Sequence, residues 1–333
     1  MKILSVLIVA TVLASAYFVF QTSSPLEAEV EFGNFIVSYN KNYASEEEYN
    51  FRLSVFSEQL RIINEHNAKG LSWTLGVNQF SDWTREEYKA MLGYKAQTKN
   101  SEVVNTIQDM PTNCKKLERK TVDWLQSGHV GRVKNQGKCG SCWAFSAVGA
   151  LEGAYFKHTG KFVEFSEQQL VECDKFSHGC NGGLMENGFY HWMRTAPRSE
   201  QAYPYDLPPK KCRENDIPSS YPVLELGYRV DITWECLYEA VTHGVVSVAI
   251  RAENDDFRSY KSGIIDGTGC GTDLDHGVTL VGYDAENDAW HVKNSWGSSW
   301  GESGFVRIRR GEGMGVCGIN QQNAQPIFDS SKF

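Results

Sequence analysis

The chain has 333 residues and a formal net charge of −8, with 33 lysines and arginines against 41 aspartates and glutamates. This acidic balance argues against a nucleic-acid-binding protein, which needs a basic surface. Hydrophobic residues make up 41% of the chain and aromatic residues 12%, which is enough for a sizeable core and excludes wholesale disorder. The length favours about two globular domains, or one large domain with an appendage. The nine cysteines are an odd number, so at least one thiol lies outside any set of internal disulfides.

The first residues are predicted to form a secretory signal peptide. Lys2 gives a positive start, the apolar run Ile3–Phe20 follows, and Ala14-Ser15-Ala16 within it is a pattern that signal peptidase cleaves. We therefore assign residues 1–16 to the signal peptide, and cleavage as late as about residue 24 is the other possibility.

A retained signal anchor is the alternative, because this run of 18 residues is close to the length that spans a bilayer. Thr11 and Ser15 dilute the run, and acidic residues rather than a cationic flank follow it, which favours cleavage and no stable membrane association. The chain is then expected to enter the secretory pathway, where cysteines can pair, and to work in a lysosome, a digestive vacuole or outside the cell.

Two helices are predicted next. The first is indicated by apolar residues at helical spacing from Phe32 to Tyr39. The second is predicted over Glu46–Asn67, with Ser45 as N-cap and Glu48 three residues later, the pattern of a capping box. Glu48 and Arg52 are predicted to form an i,i+4 ion pair on its surface.

A short strand over 73–80 and a short helix over 84–91 are predicted to follow. From residue 97 to residue 120 the chain is polar and carries a basic cluster, and we interpret this stretch as a linker that proteases can reach.

The remainder is helical first and β-rich afterwards, which predicts an α+β protein of two lobes. The predicted helices are 142–158, with Ser141 as a plausible N-cap, 166–171 and 184–193. The predicted strands are 223–228, 245–250, 278–283, 290–294 and 305–309.

The segment Gln136-Gly137-Lys138-Cys139-Gly140-Ser141-Cys142-Trp143 is the strongest indication of chemistry. Cys142 would begin a helix, where unpaired N–H groups and the positive dipole end favour a nucleophilic thiolate. His276 begins a β-branched run and is the candidate base, and Asn294 after the next strand is the candidate that orients its ring.

Three other interpretations of these cysteines compete. Cys142 could be half of a structural disulfide, and Cys139 and Cys142 could form a redox C-x-x-C pair, although no strand precedes them closely. Zinc held by Cys139, Cys142, Cys173 and Cys180 is disfavoured in an oxidising lumen, and no pair of histidines completes the set. A non-enzymatic inhibitor is a further possibility for the N-terminal part alone.

The chain resembles the precursor of a papain-family cysteine protease of the cathepsin L-like branch. His276 and Asn294 follow Cys142 by 134 and 152 residues, the spacing by which this family is recognised. Residues of the N-terminal region match the two pro-segment motifs of that branch, with Gln59 where asparagine is usual: Glu48, Arg52, Val55, Phe56, Ile63 and Asn67, then Gly76, Asn78, Phe80 and Asp82.

The resemblance implies the roles of the site residues. Cys142 would be the nucleophile and His276 its acid/base partner in a thiolate–imidazolium pair, with Asn294 orienting the ring and Gln136 in the oxyanion hole. The residues implied to contact substrate are Gly140, Gly183 and the Asp275 carbonyl along its backbone, Met185, Ala249 and Leu274 around the second pocket, Trp296 on the leaving side, and Gln322 at the floor of the second pocket. Gln322 departs from the family, which has a small apolar residue or an acid there.

The resemblance also implies a papain-like two-lobed fold, with a helical lobe and an antiparallel β-barrel-like lobe behind a mainly helical pro-segment. It implies an inhibitory pro-segment at 17–117 and a mature domain at 118–333, with cleavage near Leu117–Arg119. It implies the disulfides Cys139–Cys180, Cys173–Cys212 and Cys270–Cys317. Cys236 would then be a free buried thiol on a helix, and Cys114 would leave with the pro-segment.

The implied partners are protein and peptide substrates, the chain's own pro-segment as an inhibitor, and cystatin-like inhibitors. The implied state is a monomer without metal or cofactor, and the implied task is protein degradation of the lysosomal type.

Overall fold

The computed structural model describes residues 25–96, 102–110, 114 and 117–329. The predicted signal peptide lies outside these residues. Within them, no helix is both long enough and apolar enough to cross a membrane. The elements of the N-terminal region, residues 25–110, are α1 (Pro25–Ser38), α2 (Glu46–Asn67), β1 (Trp73–Leu75), α3 (Arg85–Ala90), α4 (Glu102–Thr106) and β2 (Gln108–Asp109).

Helix α2 begins and ends where the sequence predicts, but its polar contacts differ from those expected. The Ser45 hydroxyl accepts the N–H of Glu48, whereas the Glu48 carboxylate accepts the N–H of Ala44, one residue before the N-cap. Arg52 does not donate to Glu48 as predicted. Its guanidinium makes a two-pronged contact with Glu87 of α3, because α2 packs across α3 and a folded partner replaces the local one.

Two other predictions for the N-terminal region need correction. The strand predicted over 73–80 ends at Leu75, because Asn78 and Ser81 then form a hydrogen-bonded turn. The predicted polar linker contains α4 and β2, and it buries Val103 and Ile107 against the rest of the protein. Its few apolar residues are thus enough to anchor it.

The rest of the described chain forms two lobes, which confirms the predicted α+β fold. The elements that follow are β3 (Val122–Asp123), α5 (Cys142–Thr159), α6 (Glu167–Cys173), α7 (Met185–Arg194), β4 (Leu226–Val230), α8 (Trp234–His243), β5 (Val246–Ile250), α9 (Asp255–Arg258), β6 (Tyr260–Ile265), β7 (His276–Asp284), β8 (Ala289–Lys293), β9 (Phe305–Arg309) and β10 (Asn323–Ile327). Strands β6 and β10 are absent from the sequence prediction, whereas α8 contains Cys236, which was expected on a helix.

The strands form one sheet in the order β1-β6-β9-β8-β7-β5-β10-β4-β2, with β3 paired to β7. Only the pairs β2–β4 and β6–β9 are parallel among the described strands. Helix α5 lies against β7 and is buried along most of its length, so the two lobes meet along this helix. That contact places the N-terminus of α5 beside the N-terminal end of β7.

The N-terminal region docks on the β lobe through main-chain and buried polar contacts. Strand β1 extends the sheet by pairing antiparallel with β6. The Asn78 amide donates to the Arg258 carbonyl at 2.7 Å, and the Arg258 guanidinium donates to the Phe80 carbonyl at 2.6 Å. The Gln59 amide donates to the Ser259 hydroxyl at 3.0 Å. These hydrogen bonds fix the path of the chain toward the groove between the lobes.

Four disulfides join the described cysteines: Cys139–Cys180, Cys173–Cys212, Cys270–Cys317 and Cys114–Cys236. The fourth corrects the expectation that Cys236 is a free thiol, and its partner Cys114 lies 122 residues away in the chain. Spacing alone cannot reveal such a pair, because the fold brings its two members together.

The disulfides also decide between the competing interpretations of the cysteines. Cys139 is bonded to Cys180, so Cys139 and Cys142 do not form a redox pair. Cys173 and Cys212 approach Glu214 within 4.8 Å, but their sulfurs are joined and are not thiolate ligands for zinc. Cys142 is the free cysteine of the described residues.

Candidate active site

Cys142 and His276 meet where the two lobes touch. Cys142 is the first residue of α5 and His276 the first residue of β7, and both are fully buried beneath the N-terminal region. The Cys142 sulfur accepts two backbone N–H groups, from Gly277 at 3.3 Å and from Gly93 at 3.2 Å. Gly93 belongs to the N-terminal region, so part of this environment is supplied by a segment outside the two lobes.

Asn294 fixes the ring of His276. His276 Nε2 and Asn294 Oδ1 lie 2.9 Å apart, and the same oxygen accepts the N–H of Ser295 at 2.8 Å. Because this oxygen only accepts, Nε2 carries the hydrogen and Nδ1 is the basic nitrogen. Trp296 stacks on the imidazole with ring centroids 4.7 Å apart and shields the hydrogen bond from water.

Burial keeps both reactive groups uncharged in this state. It raises the pKa of the Cys142 thiol to about 11, although the N–H groups of Gly277 and Gly93 favour the thiolate. It lowers the pKa of His276 to about 4, and the hydrogen bond to Asn294 only partly opposes this effect. His276 Nδ1 has no hydrogen-bond partner among the described residues. The sulfur and the ring are therefore neutral near neutral pH while they are covered.

The Gln136 side chain is held in one orientation. Its Oε1 accepts the Ser295 hydroxyl at 2.7 Å and the Trp296 indole N–H at 3.1 Å. Its Nε2 donates to the carbonyl oxygens of Cys139 at 2.8 Å and Met91 at 2.9 Å. One amide hydrogen is thus directed at the groove, where a carbonyl of the N-terminal region now receives it.

Residues Gly93, Tyr94 and Lys95, here called the cleft segment, run through the groove as an extended chain. The Tyr94 N–H donates to the Asp275 carbonyl at 3.0 Å, and the Lys95 N–H to the Gly183 carbonyl at 2.9 Å. The Gly183 N–H donates to the Gly93 carbonyl at 2.8 Å, and the pairing with Gly183 is parallel. Main-chain groups therefore hold this segment.

Gly140 contacts the cleft segment in a different way. Its N–H donates to the Cys180 carbonyl at 2.9 Å and is not part of the ladder. Its carbonyl faces Gly93 so closely that a Cβ at Gly93 would lie 1.8 Å from the oxygen. Only glycine fits at position 93, since the clash would be with backbone atoms that cannot rotate away.

The Tyr94 ring fills a pocket beside the groove. It belongs to the same apolar cluster as Met185 and Ala249, with Leu274 packed against that cluster. The Ala249 N–H donates to the Gln322 carbonyl at 2.9 Å, which places Gln322 next to this wall. The four residues that the resemblance assigns to the second pocket are thus brought to one place.

Two residues of this site were missed at the level of sequence. Glu186 lies in the first turn of α7, where an acid is typical of any helix start, yet it is buried and contacts the Gln322 amide. Tyr94 precedes a polar stretch and has no periodic pattern around it. A glycine followed by a lone aromatic residue, close after the predicted helix, is the only signal that sequence offers for the cleft segment.

Comparison with known families assigns both parts of the chain. Residues 119–327 match the papain family cysteine protease model, and residues 32–88 match the cathepsin propeptide inhibitor domain (I29). The cysteine protease XCP2 of Arabidopsis thaliana is 40% identical over 303 residues, which cover 89% of this chain and 85% of that protein. Papaya proteinase 4 of Carica papaya is 38% identical, and the match covers 89% of this chain and 86% of that protein.

Solved structures of inactive precursors have the same architecture. The proform of the ragweed pollen allergen Amb a 11 cysteine protease superposes with a TM-score of 0.80 at 32% identity, covering 92% of this chain and 97% of that one. Digestive procathepsin L 3 of the Tenebrio molitor larval midgut gives a TM-score of 0.80 at 34% identity, covering 90% of this chain and 99% of that one.

Proposed function

Because the chain belongs to the papain family of cysteine proteases and carries a cathepsin propeptide inhibitor domain, we propose that it is an endopeptidase whose nucleophile is Cys142. The observation that carries this proposal is the free Cys142 at the start of α5, next to a histidine whose far nitrogen is bonded to Asn294. The enzyme is made as a zymogen, and the proposal concerns which residues perform its chemistry.

The reaction is an acyl transfer in two steps. Once the pro-segment is gone, the sulfur passes its proton to His276 Nδ1 and attacks the peptide carbonyl, and the imidazolium then protonates the departing amine. Water next attacks the thioester with His276 as base, which releases the acid and restores the sulfur. Asn294 binds Nε2, which leaves Nδ1 as the ring nitrogen that can exchange a proton with the sulfur.

Gln136 and the backbone N–H of Cys142 are proposed to form the oxyanion hole. In the precursor the Gln136 amide already donates to a carbonyl, that of Met91, at 2.9 Å. A donor that binds a peptide carbonyl there is preorganised to stabilise the negative oxygen of the tetrahedral intermediate. Such donors typically contribute about 10²–10³ in rate.

The direction of the cleft segment explains why it inhibits and is not cut. Its pairing with Gly183 is parallel, and a substrate running the opposite way would pair antiparallel with the same glycine. The Cys142 sulfur accepts the Gly93 N–H, so an amide nitrogen rather than a carbonyl carbon lies against the nucleophile. The sulfur is thus occupied by a hydrogen-bond donor of the cleft segment.

We further propose the division of the chain into a signal peptide at 1–16, a pro-segment at 17–117 and a mature domain at 118–333, with activation by cleavage near Leu117–Arg119. The mature enzyme would degrade proteins and peptides in a lysosome-like vacuole or outside the cell, as a monomer that cystatin-like inhibitors can block. Activation by acid is part of this proposal, since several contacts that hold the pro-segment together are made by carboxylates.

The test is to label the acid-activated enzyme with an irreversible peptide epoxide that reacts with thiolates, and to map the modified residue. We expect the label on Cys142 alone, and Cys142→Ala should lose at least about 10⁴-fold in kcat/KM while unfolding at the same temperature. A label elsewhere, or appreciable turnover by the alanine variant, would show that Cys142 is not the nucleophile.

A further inference from the structure

Glu186 is a buried carboxylic acid with one oxygen unused. Its side chain is 2% exposed, its Oε1 accepts the Gln322 amide, and its Oε2 has no hydrogen-bond partner among the described residues. A buried acceptor without a donor costs free energy, so the unused oxygen calls for an explanation.

The Glu186 carboxyl is joined through Gln322 to the wall of the pocket that holds Tyr94. Gln322 connects Glu186 to the pocket wall, because its carbonyl accepts the N–H of Ala249 while its amide donates to Glu186. Met185, the neighbour of Glu186, lies in the same apolar cluster as Tyr94. Burial raises the pKa of the Tyr94 phenol, and the charge of Glu186 raises it further.

The other charges around Glu186 do not neutralise it fully. Arg229 on β4 favours the ionised carboxylate, but its guanidinium donates to Asp109 at 2.9 Å and to the Ile107 carbonyl at 2.8 Å. Burial has the larger effect and raises the pKa of Glu186 to about 7. The carboxyl is thus neutral in acid and ionised in mildly alkaline solution.

We propose that Glu186 determines specificity in the second substrate pocket, where its free oxygen accepts a hydrogen bond from a side chain that ends in a donor, arginine above all. This inference rests on the proposed function, because it takes the pocket of Tyr94 as the one that binds the second residue before the scissile bond. An apolar side chain still fits the walls of the pocket. Acceptance of arginine is therefore added to the acceptance of apolar residues and does not replace it.

The ionisation of Glu186 predicts how the specificity changes with pH. A guanidinium gains from a nearby carboxylate only when the carboxyl is ionised, so selection for arginine should rise as pH increases through the pKa of Glu186. Citrulline has nearly the shape of arginine without its charge and reports the contribution of shape alone. Effects of pH on Cys142 and His276 act on both substrates and cancel in their ratio.

The experiment measures kcat/KM of the activated enzyme for three peptides that differ only at the second residue before the cut: arginine, citrulline and leucine. We expect the arginine-to-citrulline ratio to rise about tenfold between pH 5.5 and pH 7.5 in the wild-type enzyme. In Glu186→Gln the ratio should be flat. In Glu225→Gln, which removes an exposed carboxylate of the same charge, the rise should persist.

The outcomes separate this inference from the proposed function. Cleavage of the leucine peptide with a constant arginine-to-citrulline ratio, or a rise that persists in Glu186→Gln, would overturn the role of Glu186 and leave the protease function intact. Failure to cleave any peptide, with no label on Cys142, would overturn the proposed function itself. If Glu186→Gln does not fold, the pH dependence of the arginine-to-citrulline ratio in the wild-type enzyme still tests the inference.

The Cys114–Cys236 disulfide carries a second, independent inference. Cys236 is a buried residue of α8 in the catalytic region, whereas Cys114 precedes the proposed cleavage point near Leu117–Arg119. A cut at that point breaks the main chain but not the disulfide.

We infer that Cys114 stays attached to the catalytic domain after activation, contrary to the expectation that it leaves with the pro-segment. Release of the inhibitor then requires cleavage on the N-terminal side of Cys114. Cleavage at 117–119 alone leaves the pro-segment attached through the Cys114–Cys236 disulfide. A tether keeps the inhibitor at a high effective concentration beside the groove, so that it can rebind after the first cut.

The test is mass spectrometry of the acid-activated enzyme with and without a reductant. We expect a Cys114-containing peptide, or a catalytic chain that begins before Cys114, and no alkylation of Cys236 before reduction. In the double variant Cys114→Ser, Cys236→Ser the whole pro-segment should separate without reductant after cleavage at 117–119. An active wild-type enzyme that lacks Cys114 and has an alkylatable Cys236 would refute the inference.

Discussion

The N-terminal region has two parts that do different work by different means. The docking region, residues 25–92, binds the β lobe through the pairing of β1 with β6 and through side chains, such as Gln59 on Ser259 and Asn78 on Arg258. The cleft segment is held in the groove chiefly by main-chain hydrogen bonds to Asp275 and Gly183. The first part supplies recognition and the second part supplies the block.

This difference explains how an inhibitor can occupy a protease groove with a short segment. Three residues in an extended chain cannot bind tightly alone, because ordering them costs about 1–2 kcal/mol each in backbone entropy. The docking region is already folded by its own aromatic cluster of Phe32, Phe35 and Phe56, and it delivers the cleft segment in place. Breaking one part at a time should therefore give distinct defects.

The largest expected effect concerns the thiol that the cleft segment covers. Because burial raises the pKa of Cys142 to about 11 in the precursor, its thiolate fraction should keep increasing up to pH 10. In the activated enzyme we expect the thiolate to be present from acidic pH upward, because the uncovered His276 ring can then carry the proton. We expect alkylation of Cys142 by iodoacetamide at pH 6 to be at least about 10³-fold slower in the precursor. A precursor rate that levels off below pH 8 would contradict this account.

The second expected effect separates the two parts directly. In Gly93→Ala the new Cβ would lie 1.8 Å from the Gly140 carbonyl oxygen, so the cleft segment must leave its place while the docking region stays bound. We expect Cys142 alkylation in the precursor to become about 10²-fold faster. This corresponds to a loss of about 2.7 kcal/mol in the free energy that holds the cleft segment over Cys142.

Gly33→Ala is the matched control, since a Cβ at Gly33 in α1 meets no atom within 4 Å. It should alkylate at the wild-type rate. Equal rates for the two alanine variants would mean that the block does not depend on the close approach at Gly93.

The same division shows what sequence could and could not predict. The docking region was found because its motifs recur in a known order and its helix α2 carries a cap and a periodic face, so both bounds of Glu46–Asn67 agree with the structure. Cys142, His276 and Asn294 follow from the family spacing, and the structure brings them together. Sequence alone predicts a feature where residues close in the chain determine it, as at the ends of α2. It also does so where the motifs of a family recur in a known order.

The features that were missed depend on contacts distant in sequence. The partner of Arg52 is Glu87 and not Glu48, because the packing of α2 on α3 offers a better carboxylate than the same helix does. The pairing of Cys114 with Cys236 and the burial of Glu186 also arise only in the folded chain. Strand β6 was missed because it alternates poorly and is completed by β1 and β9.

A third prediction concerns the interior of the docking region. The Asp82 side chain is 4% exposed and accepts Lys41 Nζ at 2.7 Å and the Tyr43 hydroxyl at 2.9 Å. Asp82→Asn removes the charge and leaves the partly buried Lys41 without its ion pair, so we expect the docking region to lose about 2–3 kcal/mol. The readout is the denaturant midpoint of the precursor. Glu58→Gln, which removes an exposed partner of Arg61 on α2, should leave that midpoint unchanged.

The smallest expected effect is the contribution of Glu87 to acid activation. Its two hydrogen bonds from Arg52 lower the pKa of Glu87 to about 2, whereas the unfolded chain would titrate near 4.5. A lowered pKa stabilises the fold at pH values above the unfolded pKa, and the contribution is lost only as pH falls toward 2. This pair therefore persists at the pH of a lysosome, and other carboxylates must respond first when the docking region loosens.

Glu87→Gln tests this assignment, with the exposed neighbour Glu86→Gln as control. The difference in denaturant midpoint between wild type and Glu87→Gln should be constant from pH 7 to pH 5 and shrink below about pH 4.5. The precursor of the variant should activate at a pH higher by less than about one unit, because half-exposed ion pairs contribute little. If the difference in denaturant midpoint already shrinks between pH 7 and pH 5, Glu87 is protonated in that range. The Arg52–Glu87 contact would then be the one that makes the docking region respond to acid.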